Sequence, residues 1–249
     1  MVQGDMFDQH NYRDKSTLLA NIGNVTLKNR KYKSSEKYFD NFHEAHLKYY
    51  AQVLPNVYYI TSISYVYICT GRYKLARKIL LHLQAEYESK LSIEELNELY
   101  MNLTAIYMIE ENYSMATKCL LPLQQNEKLF TKQFGIEGAF KRDMIECMIH
   151  FDMKDQEYII YRLYSIGRKF KDHLSKPGNL RDKTFVKLFR YINKDPDSLT
   201  DPKYIAEADQ FIAMKPIEPG DSEFVSFNAW LKAKVEGKGY YEVLLEMVG

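Results

Sequence analysis

The sequence predicts an all-α fold, an α-solenoid of about six antiparallel helical hairpins with no sheet. Two segments forty residues apart share one pattern: 62–84 reads SISYVYICTGRYKLARKILLHLQ, and 102–124 reads NLTAIYMIEENYSMATKCLLPLQ. Apolar residues recur at three- and four-residue spacing, as they do in amphipathic helices. No run of alternating β-branched residues indicates a strand. A fixed period of this length is typical of helical repeats.

Composition agrees with a globular helical protein. Of the 249 residues 46% are hydrophobic, which is ample for a core, and the net charge of +1 gives no overall attraction to a polyanion. The 21 tyrosines suit seams between helices, where the ring packs and the hydroxyl reaches water. We expect a disordered lead-in at 1–14 and a single domain at 15–249, with regular repeats at 15–130 and diverged repeats at 131–249.

The cysteines and the amino-terminal residues indicate the cellular compartment in which the protein is expected. Cys69, Cys119 and Cys147 are odd in number and lack CxxC spacing, so they are predicted to be free core thiols of a reduced compartment. The opening residues MVQGDMFDQHNYRDK are polar and do not resemble a signal peptide. No run approaches the roughly 18 apolar residues of a transmembrane helix. We therefore expect a cytoplasmic protein that does not insert into a membrane.

The first two hairpins can be placed by their turns. The pattern becomes helical at Ser16, is interrupted by polar residues at 28–31, and resumes at Tyr32. The second hairpin spans about 55–88, with Pro55 suited to the first position of a helix. Gly71 falls in the turn between its helices, where a left-handed backbone conformation is often needed.

The later elements follow by the same reasoning. Ser92 and Glu95 have the spacing of a capping box at the start of the third hairpin, and Pro122 should kink or end its second helix. Beyond it we predict helices at 137–153, 156–174, 181–193, 202–214, 222–235 and 240–248. The apolar side of the 156–174 helix is predicted to contain Ile159, Ile160, Leu163, Tyr164, Ile166 and Phe170.

At 63–83 and 103–123 the sequence resembles the tetratricopeptide repeat family. The matching positions are Ile63-Ser64, Tyr67, Gly71, Tyr73, Ala76, Leu80 and Leu83, then Leu103-Thr104, Tyr107, Tyr113, Ala116, Leu120 and Leu123. The period is longer than the family's usual length of about 34 residues. The resemblance implies a right-handed superhelix whose concave face, made by the first helix of each hairpin, binds a protein or peptide.

On this register the concave face would contain a mixed set of tyrosines, methionines and polar residues. The expected contacts are Asn24, Lys28, Tyr58, Thr61, Tyr65, Met101, Ala105, Met108 and Arg142. Surfaces of this kind adapt to extended or helical peptides. The alternative is that the groove is filled by the protein's own termini or flattened by neighbouring helices.

Two groups of residues contain side chains of the types that bind metals or take part in catalysis. His43 and His46, with Asp40 nearby, lack the four-residue spacing of a zinc-binding helix, so we predict ordinary helix residues and no metal. Asp143, Glu146 and His150 follow one helix at spacings of three and four, where acid–base chemistry is conceivable. Nothing supplies a nucleophile or a phosphate-binding loop, so we predict a solvated, ion-paired helix face, no enzyme and no cofactor.

The 167–190 segment, GRKFKDHLSKPGNLRDKTFVKLFR, is the most basic part of the chain. Its phenylalanines Phe170, Phe185 and Phe189 have helical spacing and are predicted to be core, which leaves the bases on a solvated face. An acidic protein partner fits this face better than nucleic acid, the alternative function. Self-association as a homodimer is a third hypothesis. The anionic-partner patch would comprise Arg168, Lys169, Lys171, Arg181 and Lys187.

Overall fold

The structure, a computed structural model, describes residues 12–50, 57–214 and 225–248. Within these ranges there are thirteen α-helices and no strand, which confirms the predicted all-α class. The predicted lead-in at 1–14 lies largely outside the described residues, and helix α1 begins at Tyr12, inside it. Pro55, predicted to open a helix, also lies outside the described residues.

The chain divides into two compact units, a division that the sequence pattern does not signal. The smaller unit contains α1 (Tyr12–Lys28), α2 (Tyr32–Tyr50), α3 (Val57–Cys69) and α4 (Tyr73–Tyr87). The larger unit begins at Glu88. Its helices are α5 (Ile93–Ile109), α6 (Tyr113–Gln125), α7 (Glu127–Asp152), α8 (Gln156–Lys169), α9 (Lys171–Ser175), α10 (Leu180–Lys194), α11 (Pro202–Ala213), α12 (Phe227–Glu236) and α13 (Tyr240–Val248).

Four hairpins turn through the same backbone conformation. A residue with positive φ stands two positions before the second helix of each: Arg30, Gly71, Glu111 and Lys154. At the second turn Arg72 N–H donates to the Tyr67 carbonyl and Gly71 N–H to the Ile68 carbonyl, and the other three turns repeat this pair of bonds. This is the Schellman arrangement, which satisfies carbonyls at a helix end. The prediction of a left-handed Gly71 is confirmed.

In the smaller unit the first hairpin closes around a glycine. A Cβ at Gly23 would lie 3.0 Å from the ring of Phe39, closer than most real contacts of this kind, so a larger residue would force the ring to shift. Ser35 Oγ donates to the Gly23 carbonyl at 2.7 Å. Tyr67 Oη of α3 donates to Asp40 of α2 at 2.5 Å, and Arg72, in the turn after α3, forms an ion pair with Glu36 of α2 at 2.9 Å.

In the larger unit the predicted capping box at α5 is confirmed. Glu95 N–H donates to Ser92 Oγ at 3.2 Å, and Ser92 N–H donates to the Glu95 carboxylate at 2.9 Å. Pro122 lies inside α6, which ends three residues later. Helix α7 starts ten residues earlier than predicted but is broken at Gly135, where φ is 71° and ψ is −179°. Its continuation is buried from Ala139 to His150, apart from the half-buried Lys141.

Successive helices of the larger unit pack on one another, α5 and α6 on α7, α7 on α8, α8 on α10, and α10 on α11. The last part of the core is aromatic, and Trp230 of α12 lies at its centre, fully buried. Its ring is 5.3 Å from Phe189 and 5.4 Å from Phe151, centroid to centroid, and its indole N–H donates to Asp152 at 3.0 Å. Phe170, Phe185 and Phe189 are buried, which confirms their prediction as core.

Candidate functional site

The predicted concave-face residues are divided between the two units. Asn24, Lys28, Tyr58, Thr61 and Tyr65 belong to the smaller unit. There Lys28 is exposed, Tyr58 is half-exposed, Asn24 and Tyr65 are half-buried, and Thr61 is buried. The Thr61 hydroxyl donates to the Tyr58 carbonyl one turn back, so it is not presented to a ligand. Lys28 and Tyr58 remain the most accessible members of this set.

The remaining predicted contacts, Met101, Met108 and Arg142, lie in the larger unit and are each no more than 3% exposed. Ala105 is buried with them. These side chains are part of the core, because the whole stretch from Met101 to Met108 is covered on every face of α5. The expectation that Arg142 fixes polar atoms of a ligand is therefore corrected by its burial.

Arg142 is held by groups of its own unit. Its guanidinium donates to Asp143 Oδ1 from Nη2 at 2.6 Å and from Nε at 3.0 Å, and to the Leu123 carbonyl at 3.0 Å. The cation also lies over the ring of Phe130, 4.9 Å from its centroid. Every one of these contacts is internal, so the residue stabilises the packing of α6 on α7.

Asp143 and Glu146 stand at the centre of a buried ion network, although a solvated helix face was predicted. They are 0% and 4% exposed. Arg162 of α8 bridges them, with Nη2 3.0 Å from Asp143 Oδ1 and Nε donating to Glu146 Oε2 at 2.6 Å. Lys169 adds a bond to Asp143 at 2.9 Å. The charges of the network are compensated within the protein, so the solvated-face prediction is wrong.

His150, the third residue of that predicted group, is also buried. Its Nδ1 lies 3.0 Å from Asp155 Oδ2, and its ring stacks on Tyr158 with centroids 3.7 Å apart. Tyr158 Oη in turn donates to Glu146. The imidazole therefore closes the α7–α8 hairpin and is not directed at a cavity.

Cysteine and metal chemistry find little support in the described part of the chain. The free thiols of Cys69, Cys119 and Cys147 are buried, and burial raises the pKa of Cys69 and Cys119 to about 12. Such thiols are protonated at neutral pH and are poor nucleophiles. No group of three or more His, Cys, Asp or Glu with metal-binding geometry occurs among the described residues. The side chains of His43 and His46 lie outside what the structure describes, and Asp40 is bonded to Tyr67.

Glu98 on α5 is a carboxylate without an ion pair among the described residues, and its burial raises the pKa from 4.5 to about 7. Because the folded-state pKa exceeds that of the unfolded chain, ionisation opposes folding, and stability falls as the pH rises between these values. We expect Glu98→Gln to raise the free energy of unfolding by about 1 kcal/mol at about pH 8 and to change it little at about pH 4.

Guanidinium unfolding followed by the fluorescence of Trp230, the one tryptophan of the chain, measures this effect. Glu94→Gln is the matched control, because Glu94 is exposed in the first turn of the same helix and its replacement should not raise the free energy of unfolding at high pH. An equal response of both variants at high pH would contradict the assignment.

The predicted anionic-partner patch is only partly exposed. Arg168, Lys171 and Lys187 reach solvent, whereas Arg181 is buried and donates to Asn228 Oδ1 at 2.6 Å. Lys169 is engaged by Glu127 at 2.6 Å as well as by Asp143. Arg181 and Lys169 are thus removed from the patch by internal partners that the sequence spacing does not reveal.

One side of α10 forms a more exposed basic surface than the predicted patch. Four cations share this side and are exposed, namely Lys183, Lys187, Arg190 and Lys194. Lys187 is 2.6 Å from Glu207 of α11, and Arg190 Nη2 donates to the Leu163 carbonyl of α8 at 3.2 Å. We call this set the α10 basic face.

The outer side of α8 carries the most exposed large apolar side chains of the described residues. Ile160 is 61% exposed, Tyr161 70% and Tyr164 69%, and they lie within one turn and a half of one helix. We call these three residues the α8 ridge. Arg168 extends it, with its guanidinium 5.8 Å from the centroid of the Tyr164 ring.

The sequence placed two members of the ridge on the wrong side. Ile160 and Tyr164 were predicted to pack in the core with Ile159, Leu163 and Ile166, but only the last three are buried. The helix is apolar around most of its circumference, so periodicity alone does not select the inner side. The charged residues Glu157 and Arg168, which share the ridge's face, are the signal that could have identified it.

No described helix is long and apolar enough to cross a membrane. Comparison with protein-family models, with curated proteins and with solved structures found no match to this chain. The candidate binding surfaces are therefore identified only from the exposure and charge of the α8 ridge and the α10 basic face.

Proposed function

We propose that this protein is a non-catalytic protein-binding scaffold or regulatory module, built as a tetratricopeptide-like right-handed solenoid. The four equivalent Schellman turns and, within each unit, the packing of successive hairpins (α2 on α3, and α5 and α6 on α7) support this arrangement. A cytoplasmic location is part of the proposal, and it is supported by three buried, free cysteines.

The α8 ridge carries the proposal. Isoleucine and tyrosine side chains that are more than three-fifths exposed and contiguous favour association, because covering apolar surface contributes about 25 cal/mol per Å². Tyrosine is enriched where partners meet, since its ring packs while its hydroxyl finds a hydrogen bond. Neither the core nor the fold requires these three side chains to be apolar at these positions.

The surface of the smaller unit is a second contact region in this proposal. Tyr58 and Lys28 offer an exposed ring and an exposed cation on the first helices of two hairpins, as the concave-face hypothesis requires. The half-buried side chains of Asn24 and Tyr65 contribute the part of their surface that is exposed to solvent. A peptide bound here would gain apolar contact from the tyrosines and a charge-assisted hydrogen bond from Lys28.

The α10 basic face favours the alternative, binding of nucleic acid. Four cations on one side of a helix attract phosphates, and binding would weaken steeply as salt rises. The Glu207 carboxylate, paired with Lys187 at 2.6 Å, opposes a polyanion on this face, and Glu157 beside the ridge opposes one there. A protein partner with apolar residues and mixed charge fits both features, so we favour it.

Photo-cross-linking from the ridge tests the proposal. A p-benzoylphenylalanine placed at Tyr161 or Tyr164 should give protein adducts in cells, because a bound partner must cover these positions. The matched control places the same group at Leu121, which is 53% exposed on α6 of the same unit and should give few adducts.

The adducts separate the hypotheses. Protein adducts at the ridge, including adducts between two copies of this chain, support a protein-binding module. Nucleic-acid adducts at the ridge would overturn it in favour of the alternative. Equal yields at the ridge and at Leu121 would show that the ridge binds nothing, and would overturn it as well.

A further inference from the structure

The α8 ridge has opposite charges at its two ends. Glu157 precedes the apolar side chains on the outer face of α8, and Arg168 follows them. Both are exposed, and neither forms an ion pair with another described residue. Tyr164 holds the Arg168 guanidinium over its ring, which keeps the cation on this face. A partner must therefore offer a base near Glu157, apolar groups at the centre and an acid near Arg168.

The positions of these residues are symmetric along the helix. Counted from the midpoint between Arg162 and Leu163, Glu157 and Arg168 lie equally far in opposite directions, roughly 8 Å each at 1.5 Å per residue. Tyr161 and Tyr164 are likewise equidistant from this midpoint, one and a half residues on either side. A helix with this arrangement is complementary to itself when it is turned end over end.

On this ground we infer that the partner of the α8 ridge is a second copy of this chain, with the two α8 helices packed antiparallel. Each Glu157 then faces Arg168 of the second copy, and the four tyrosine rings meet at the centre. The contact is isologous, so it closes as a dimer and does not extend into a fibre. The inference rests on the proposed protein-binding role of the ridge and names its partner.

Electrostatics selects the antiparallel arrangement over a parallel one. Parallel packing would place Glu157 against Glu157 and Arg168 against Arg168, which costs free energy at both ends. The contact is nonetheless small, since a helix of 14 residues is about 21 Å long and covers less than the roughly 800 Å² per partner of a standard interface. We therefore expect a weak dimer that is populated at high protein concentration.

Charge reversal on the purified protein tests the pairing. Glu157→Lys alone and Arg168→Glu alone should each raise the dimer dissociation constant about tenfold or more, because two attractive pairs become two repulsive ones. An equimolar mixture of these two single variants should form a heterodimer close to wild type in affinity, since every facing pair is again opposite in charge. In a parallel dimer each residue would face its own copy, so the single variants would leave the dissociation constant close to wild type and the mixture would bind more tightly than wild type.

Sedimentation equilibrium from about 10 μM to about 1 mM covers the range expected for a small interface. Glu86→Lys, an exposed glutamate on α4, is the control and should leave the dissociation constant unchanged. Circular dichroism of each variant confirms that the helices persist.

The results distinguish this inference from the proposed function. A wild-type protein that stays monomeric at the highest concentration, or a mixture that is no better than either variant, overturns the self-pairing. Ridge cross-links to a different protein, obtained together with such a result, would leave the protein-binding role intact. Loss of both the dimer and the cross-links would overturn both.

Discussion

Replacing Asp143 by asparagine should lower the free energy of unfolding of the larger unit by about 3–5 kcal/mol. The substitution keeps the volume and removes the charge, which leaves Arg142, at 1% exposure, with the half-exposed Glu127 carboxylate 4.0 Å away as its remaining counter-ion. Arg162 and Lys169 lose a partner at the same time. The cost is large because a buried cation that loses its closest carboxylate has no water to take its place.

Trp230 fluorescence reports the unfolding of this unit in guanidinium, since the indole lies in its core. The matched control is Glu127→Gln, which breaks the ion pair with Lys169 at a half-exposed carboxylate and should cost less than about 1 kcal/mol. Similar losses for the two variants would mean that the Asp143 network is solvated, contrary to the structure. Added salt should reduce the effect of the control more than that of Asp143→Asn.

The second large effect is expected at Trp230. Its replacement by alanine opens a cavity beside Phe151 and Phe189 and leaves Asp152 without the indole donor. Large-to-small changes of this kind cost about 3–5 kcal/mol when the core cannot collapse. Phenylalanine at the same position keeps much of the ring contact and should recover at least half of the loss.

Tyr161→Ala serves as the matched control, because it removes an aromatic side chain that is 70% exposed in the same unit. Its effect on stability should be within about 0.5 kcal/mol of zero. Thermal or guanidinium unfolding followed by far-ultraviolet circular dichroism suits both variants. A strongly destabilising Tyr161→Ala would show that the α8 ridge is packed within the protein, and a silent Trp230→Ala would contradict the aromatic core.

The fold class could be predicted because two patterns agree: apolar residues recur at helical spacing, and a tyrosine follows the turn of each of the first three hairpins, about every forty residues. Tyr32, Tyr73 and Tyr113 each open the second helix of a hairpin, as the forty-residue spacing indicates. The repeated turn geometry was visible only at Gly71. Arg30, Glu111 and Lys154 adopt the same left-handed conformation without being glycine, so composition alone does not reveal them.

The candidate site was harder to predict for a physical reason. Burial of a charged residue depends on partners that come from other helices, as Arg142 shows with the Leu123 carbonyl of α6. The spacing of Asp143 and Glu146 places them on one side of α7, but which side faces the core is decided by Arg162 of α8. Ile160 is the opposite case, an apolar residue that faces solvent. Its neighbours along α8 are apolar on most sides, so the sequence does not indicate which side is exposed.

The bond from Trp230 to Asp152 has a consequence for the order of folding. It joins residues 78 positions apart within the larger unit, whereas the Schellman turns and the α7–α8 network join residues that are close in sequence. Short loops close quickly and long ones slowly, so the hairpins can form while the chain is being synthesised. The aromatic core around Phe151 must wait for α12 to leave the ribosome, so the unfinished larger unit exposes apolar surface until its synthesis is nearly complete.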